Sequence, residues 1–369
     1  MTGDRVVPRV AGDNRAARIG AGSRRATRHR PRLTMPPMST SRIGIAFTGG
    51  LAPGDVVQCV KLADDLGYES AWVAEGHGGD QFAILAACAV ATRRIGLGTS
   101  ISSVFVRSAP TIAMAAATVD DLSGGRFILG LGSSHRVQVE PEHGIAFAQP
   151  VQRLRETVDV VRALLRDGVV SHQGPVLRIA RFDLWFTPRR REIPIYLAGL
   201  FPPMLEVSGE IAQGVILTWS TLDAAARVAP HVAAGARRAG RRPEDVEIVS
   251  LLPCAVAATR EAARARLRPS VATYAGFFPR YNRLMAESGF AEAAAAIKRA
   301  WASGDRGAAV RAVPDALVDA ISVVGTPAEV RARVEAYRAA GLALPIISPR
   351  LDGSEAKTQA TEAIRACAP

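Results

Sequence analysis

Ile43-Gly-Ile-Ala-Phe-Thr-Gly-Gly-Leu-Ala-Pro53 is a short apolar run that breaks at two glycines and passes into helix-forming sequence. A doubly wound dinucleotide-binding sheet carries G-x-G-x-x-G directly after its first strand. Thr48-Gly-Gly-Leu-Ala-Pro is not that motif, and Gly130-Leu-Gly132 is a lone G-x-G at the fourth apolar run. The open sheet loses its main support, which leaves a closed barrel.

The same alternation recurs outward from this stretch. Ala71-Trp-Val-Ala-Glu75, Ile95 to Ser102, Arg126 to Gly132 and Ile195 to Gly199 follow as apolar runs, then Val215 to Trp219, Val246 to Ala257 and Leu344 to Ser348. Amphipathic helical patterns lie between them, at 55–66, 80–92, 110–122, 151–165, 203–212 and 222–239. Thr326 is placed to cap one more helix, with Pro327 at its first position and Glu329 at its third. Eight strand-helix units predict an α/β fold, a (β/α)8 TIM barrel with insertion segments. Residues 171–190 read as a hairpin insertion and 260–320 as an Ala-rich helical one. The expected organisation is a disordered Arg-rich extension over 1–40 and one barrel over 41–369.

Composition narrows the function classes. The net charge of +12 is concentrated at the start, where residues 1–34 hold nine Arg against two Asp. The remaining +5 is ordinary for an enzyme, so nucleic acid is not an expected partner. No apolar run reaches the roughly 18 to 20 residues of a membrane span, and the Arg24-Arg25 pair lacks the apolar stretch of an export signal. The four Cys are scattered without ligand spacing, which predicts reduced thiols and a cytoplasmic location.

In such barrels the site gathers at the carboxyl ends of the strands. That rule selects Glu75 and His77 after strand two, Ser100, Ile101 and Ser102 after strand three, and Gly132, Ser133, Ser134 and His135 after strand four. It adds Ala198, Gly199 and Leu200 after strand five, and Thr218 at the end of strand six. Hydroxyls and glycines dominate, and no nucleophile stands beside a base. A metal site from Glu75, His77 and His135 is conceivable, but their spacing does not favour it, so no metal is expected. This rim suits a large polar cofactor that brings its own reactivity. The helix that begins at Pro202-Pro203 offers a start at which a phosphate could sit.

Leu97-Gly-Thr-Ser through Pro110, Ser123-Gly-Gly-Arg-Phe-Ile-Leu-Gly-Leu-Gly-Ser133 and Gly325-Thr-Pro-Ala-Glu-Val resemble the luciferase-like monooxygenase superfamily, over about residues 43–350. Trp72-Val-Ala-Glu-Gly-His-Gly-Gly-Asp and the Gly-Ser-Ser after strand four resemble its coenzyme F420 (deazaflavin) branch, which includes methylenetetrahydromethanopterin reductases. The resemblance implies a non-proline cis peptide at Ser100-Ile101 bracing the cofactor ring. It also implies that Gly132, Ser133 and Ser134 lie beside the ring's polar edge, and Ala198, Gly199 and Leu200 toward the phosphate, with Thr218 at the end of strand six. Glu75 and His77, with Gly76 between them, match the acidic residue and histidine after strand two. His135 stands where sugar-phosphate-oxidising relatives place a glutamate. The basic cluster of those relatives is not matched, which disfavours a sugar phosphate.

The expected function is F420-dependent hydride transfer to or from a small organic substrate, with Glu75, His77 and His135 as catalytic candidates. An FMN-dependent monooxygenase using molecular oxygen is the alternative, and a non-catalytic flavin- or deazaflavin-binding protein is the alternative of another class. Many relatives are dimers, and the helix around Ala113–Ala117 is a candidate homodimer face or, equally, intrachain packing.

Overall fold

The computed structural model describes residues 42–369. The extension over 1–40 lies outside the described residues.

Eight parallel strands close into a barrel: β1 Gly44–Phe47, β2 Ser70–Val73, β3 Gly96–Thr99, β4 Phe127–Gly132, β5 Ile195–Ala198, β6 Gly214–Thr218, β7 Glu247–Val256 and β8 Leu344–Pro349. They pair in chain order, and β8 returns to β1 with Gly44 opposite Ile346. The strands are buried on both faces, which is why they read as continuous apolar runs rather than alternating ones.

The barrel interior is filled by Ala46, Trp72, Tyr196, Ile216, Val249 and Leu251, among others. Two large rings fit there because glycines face them. A Cβ on Gly98 would overlap the Trp72 indole, and one on Gly214 would lie 2.5 Å from Tyr196 Cε2. The amino-terminal mouth is closed by charge. Arg42 pairs with Glu69 at 2.6 Å and with Glu247 at 2.9 Å, and the Tyr196 hydroxyl donates to Glu247 at 2.6 Å.

Val169–Gln173 and Arg178–Asp183 make an antiparallel hairpin. The second insertion is a set of helices beginning with Arg260–Phe277, Pro279–Met285 and Ala291–Ala302, with its own apolar core around Leu267, Val271 and Ile297. Thr326 and Glu329 form the reciprocal capping box their spacing predicts.

Several boundaries differ from the sequence reading. Helix Arg136–His143, with Pro141 inside it, follows β4 in a segment to which the sequence reading assigns no element. Strand Val323–Gly325 adds to β7 just before the Thr326 cap, and helix Ala356–Ala366 closes the chain beyond the eighth run. Ala113, Ala116 and Ala117 are fully buried within this chain, so the Ala-rich face packs internally and Met114 is the exposed member of that stretch. No helix of the described residues is long and apolar enough to cross a membrane.

Candidate active site

A cavity of about 840 Å³ opens at the carboxyl ends of the strands, under the second insertion. Its floor is apolar where Ala74, Ile101, Ile216, Leu217 and Leu251 converge. Its aliphatic hydroxyls are Thr48, Ser100, Ser133, Ser134 and Thr218. Of the predicted residues, Glu75, His77, Ser100, Ile101, Ser133 and Ser134 line it, and so do His135, Ala198, Gly199, Leu200 and Thr218.

Ser102 and Gly132 stand behind the wall. Ser102 is buried, with its hydroxyl 3.4 Å from Glu75 Oε2. Gly132 is where Ile101 rests, since a Cβ there would lie 2.7 Å from Ile101 Cγ1. The sequence reading places both at the cofactor; in the structure neither lines the cavity, whereas Ile101 does.

The Ser100–Ile101 peptide is cis, as the resemblance implies. The Ser100 hydroxyl is buried without a hydrogen-bond partner in the protein. An orphaned buried hydroxyl on a cavity wall is a group that a ligand can satisfy. Gly49 and Gly50, with φ of 134° and 85°, bring bare backbone to the same rim after β1. Ser134 and Trp219 hold left-handed backbone at 55° and 53°, a conformation that costs a non-glycine residue free energy and that clusters at functional sites. Floor, orphan and glycines together fit a planar ring with a polar edge.

The helix after β5, Pro202–Ile211, is poorer in donors than its start suggests. Pro202 and Pro203 have no N–H, the Gly199 N–H is spent on Ile216, and the Met204 N–H on Phe201. An anion near this loop is therefore left with the backbone of Leu200 and Phe201, since Arg283, 4.4 Å from the Phe201 ring, is already paired with Glu287 at 2.7 Å.

The titratable residues divide sharply. Glu75 is committed, because it pairs with Arg107 and accepts the Ser103 N–H at 2.7 Å. His77 is 81% exposed at the mouth, with Nε2 3.2 Å from Glu142. His135 sits in an aromatic wall, its ring 4.8 Å from Phe278 and 4.9 Å from Tyr281. Desolvation there, with the Arg280 charge nearby, lowers its pKa to about 4, so the ring is neutral at physiological pH. Among the described residues no group of His, Cys, Asp and Glu is placed to hold a metal ion.

The cap residues Tyr274, Phe278, Arg280 and Tyr281 line the cavity and were not picked out from sequence. They come from a segment with no strand end to mark it, so the carboxyl-end rule could not select them.

Fold and cavity define a (β/α)8-barrel protein with one large site at the carboxyl face. The family model described as luciferase-like monooxygenase matches residues 35–344, and the chain belongs to that family. The 5,10-methylenetetrahydromethanopterin reductase of Archaeoglobus fulgidus is 28% identical over 307 residues, covering 82% of this chain and 91% of its own. The coenzyme F420-dependent tetrahydromethanopterin reductase from Methanopyrus kandleri shares the fold with a TM-score of 0.79 and 24% identity, over 88% of this chain and 98% of its own. An F420-dependent secondary alcohol dehydrogenase in complex with an F420–acetone adduct shares it with a TM-score of 0.71 and 19% identity, over the same shares of both chains.

Proposed function

We propose that this protein is a coenzyme F420-dependent oxidoreductase that transfers hydride to or from a small organic substrate. The observation that carries the reading is the convergence of the Ser100–Ile101 wall, with its orphaned hydroxyl, and the glycine rim on one apolar-floored cavity. The F420-dependent reductase and the F420-dependent secondary alcohol dehydrogenase that share its fold support the same cofactor.

In this reading Ile101, braced by Gly132, supports the ring, and Ser100, Ser133 and Ser134 serve its polar edge. Ala198, Gly199, Leu200 and Thr218 flank the phosphate side. When bound, the coenzyme supplies the hydride acceptor or donor. The protein orients the substrate over the ring and excludes water with the aromatic cap. His135, held neutral, accepts the proton of a substrate hydroxyl as its carbon becomes a carbonyl, and returns it in the reverse direction. Glu75 is a positioning residue for the loop after β3, and His77 stays at the solvent-side mouth. A cytoplasmic location accompanies this reading, supported by four free, buried cysteines.

Parallel fluorescence titrations of the full chain with coenzyme F420 and with FMN test the proposal. Preference for F420 supports it, and preference for FMN moves the chain to the oxygen-using alternative. Tight F420 binding with no turnover across alcohols, pterin-like carriers and activated alkenes favours the non-catalytic alternative.

A further inference from the structure

We propose that the cap carries a substrate subsite for a flat aromatic body bearing a carboxylate, with Tyr274, Phe278 and Tyr281 against the body and Arg280 receiving the carboxylate. The inference rests on the reading above, in that the strand-end floor is taken for the cofactor and the cap is left for the substrate.

The cap presents aromatic surface to the cavity as one unit. Tyr274 lies 5.2 Å from Phe278 and 5.0 Å from Tyr281, and His135 joins them at 4.8 and 4.9 Å. All four line the cavity. Trp219 backs Tyr274 at 4.7 Å, which fixes that ring in place. Rings at these separations favour a planar guest in offset or edge contact.

Charge supplies the second half. Two arginines line the cavity. Arg283 is neutralised by Glu287 at 2.7 Å. Arg280 forms no salt bridge among the described residues, and nearby Arg136 is paired with Glu140 at 2.7 Å. Glu75, the one carboxylate on the cavity wall, is already bound to Arg107 and Ser103. The wall therefore holds a guanidinium without an anion, and a guanidinium receives a carboxylate through two parallel hydrogen bonds. One unpaired cation matches one negative charge. A dianionic phosphate would leave charge uncompensated among aromatic rings, which is costly.

The test uses the full chain loaded with coenzyme F420 and titrated by calorimetry with 2-naphthoate and with its neutral isostere 2-naphthamide. The acid is expected to bind about tenfold more tightly than the amide. Arg280→Met should bring the two affinities together, and Arg280→Lys should retain part of the preference, with far-UV circular dichroism confirming folded variants. Equal affinities in the unmodified protein, or a preference that survives Arg280→Met, overturn the subsite. If F420 fails to load while the unloaded chain still prefers the acid through Arg280, the cofactor reading falls and the subsite stands. If F420 loads and the preference is absent, the subsite alone falls.

Discussion

The carboxylate of Glu75, just beyond β2, accepts the backbone N–H of Ser103 at 2.7 Å and so ties the end of one strand unit to the loop of the next. The same carboxylate pairs with Arg107, and both side chains are largely buried. The Glu75 N–H also reaches the Ile101 carbonyl at 3.4 Å, which ties the clamp to Ser100–Ile101. Glu75→Ala removes the ion pair and the acceptor together and is expected to cost about 2 kcal/mol in urea denaturation. Glu75→Gln keeps an acceptor for Ser103 and should cost less. Both should weaken cofactor binding without moving the pH optimum. A Glu75→Gln protein that keeps full cofactor affinity but loses a pH-rate limb would make Glu75 a proton carrier instead.

His135 titrates near pH 4 in the folded chain, below the ordinary value of 6.5. The unfolded chain binds that proton more readily, so stability is greatest above pH 6.5 and declines as pH falls toward 4. The melting temperature of the natural chain should fall relative to that of His135→Phe as the pH is lowered from 7 to 4, because the variant lacks this penalty. The pH-rate profile should likewise show no limb near 6.5 from this residue. Equal pH slopes in the two proteins would place His135 in a wetter environment than the aromatic wall provides.

Gly98 faces the Trp72 indole, which is fully buried and donates Nε1–H to Ser70 at 2.9 Å. Gly98→Ala forces the ring or the strand to move and should destabilise the protein by about 1–3 kcal/mol. Gly54 makes a useful contrast: it lies in helix Pro53–Asp65, and a Cβ there meets nothing within 4 Å. Gly54→Ala should stabilise by about 0.5 kcal/mol. Denaturant midpoints of the two variants should therefore shift in opposite directions.

Arg42 closes the barrel's amino-terminal mouth, with a side chain 12% exposed and two carboxylate partners. Removing it leaves Glu69 and Glu247 facing each other without a cation, and the Tyr196 hydroxyl still donating to Glu247. Arg42→Ala should cost about 2–3 kcal/mol in urea denaturation. Cofactor affinity should be unchanged, since this face of a barrel serves stability and the opposite face serves binding. Loss of affinity at full stability would break that division.

The barrel was legible because each strand run is bounded by glycine, a helix signal or both, as at Thr48-Gly-Gly and Ser123-Gly-Gly. The cavity wall was legible for the same reason: strand ends select it. Side-chain commitments were not. Nothing in the spacing of Glu75 and Arg107 announces an ion pair, and nothing around His135 announces Phe278 and Tyr281 as its aromatic neighbours. Those contacts join segments far apart in sequence, brought together only by closure of the barrel and placement of the cap. Pro202-Pro203 shows a related limit: the helix start is legible in the sequence, whereas the hydrogen bonds already made by the Gly199 and Met204 N–H groups are not.

The most direct test of the central claim is equilibrium binding of coenzyme F420 and FMN to the full chain, alongside Ser100→Ala and Gly132→Val. The account predicts micromolar or tighter binding of F420, weaker binding of FMN, a modest loss for Ser100→Ala and a severe loss for Gly132→Val, whose side chain would displace Ile101. Binding of neither coenzyme, or F420 affinity indifferent to both substitutions, would contradict it.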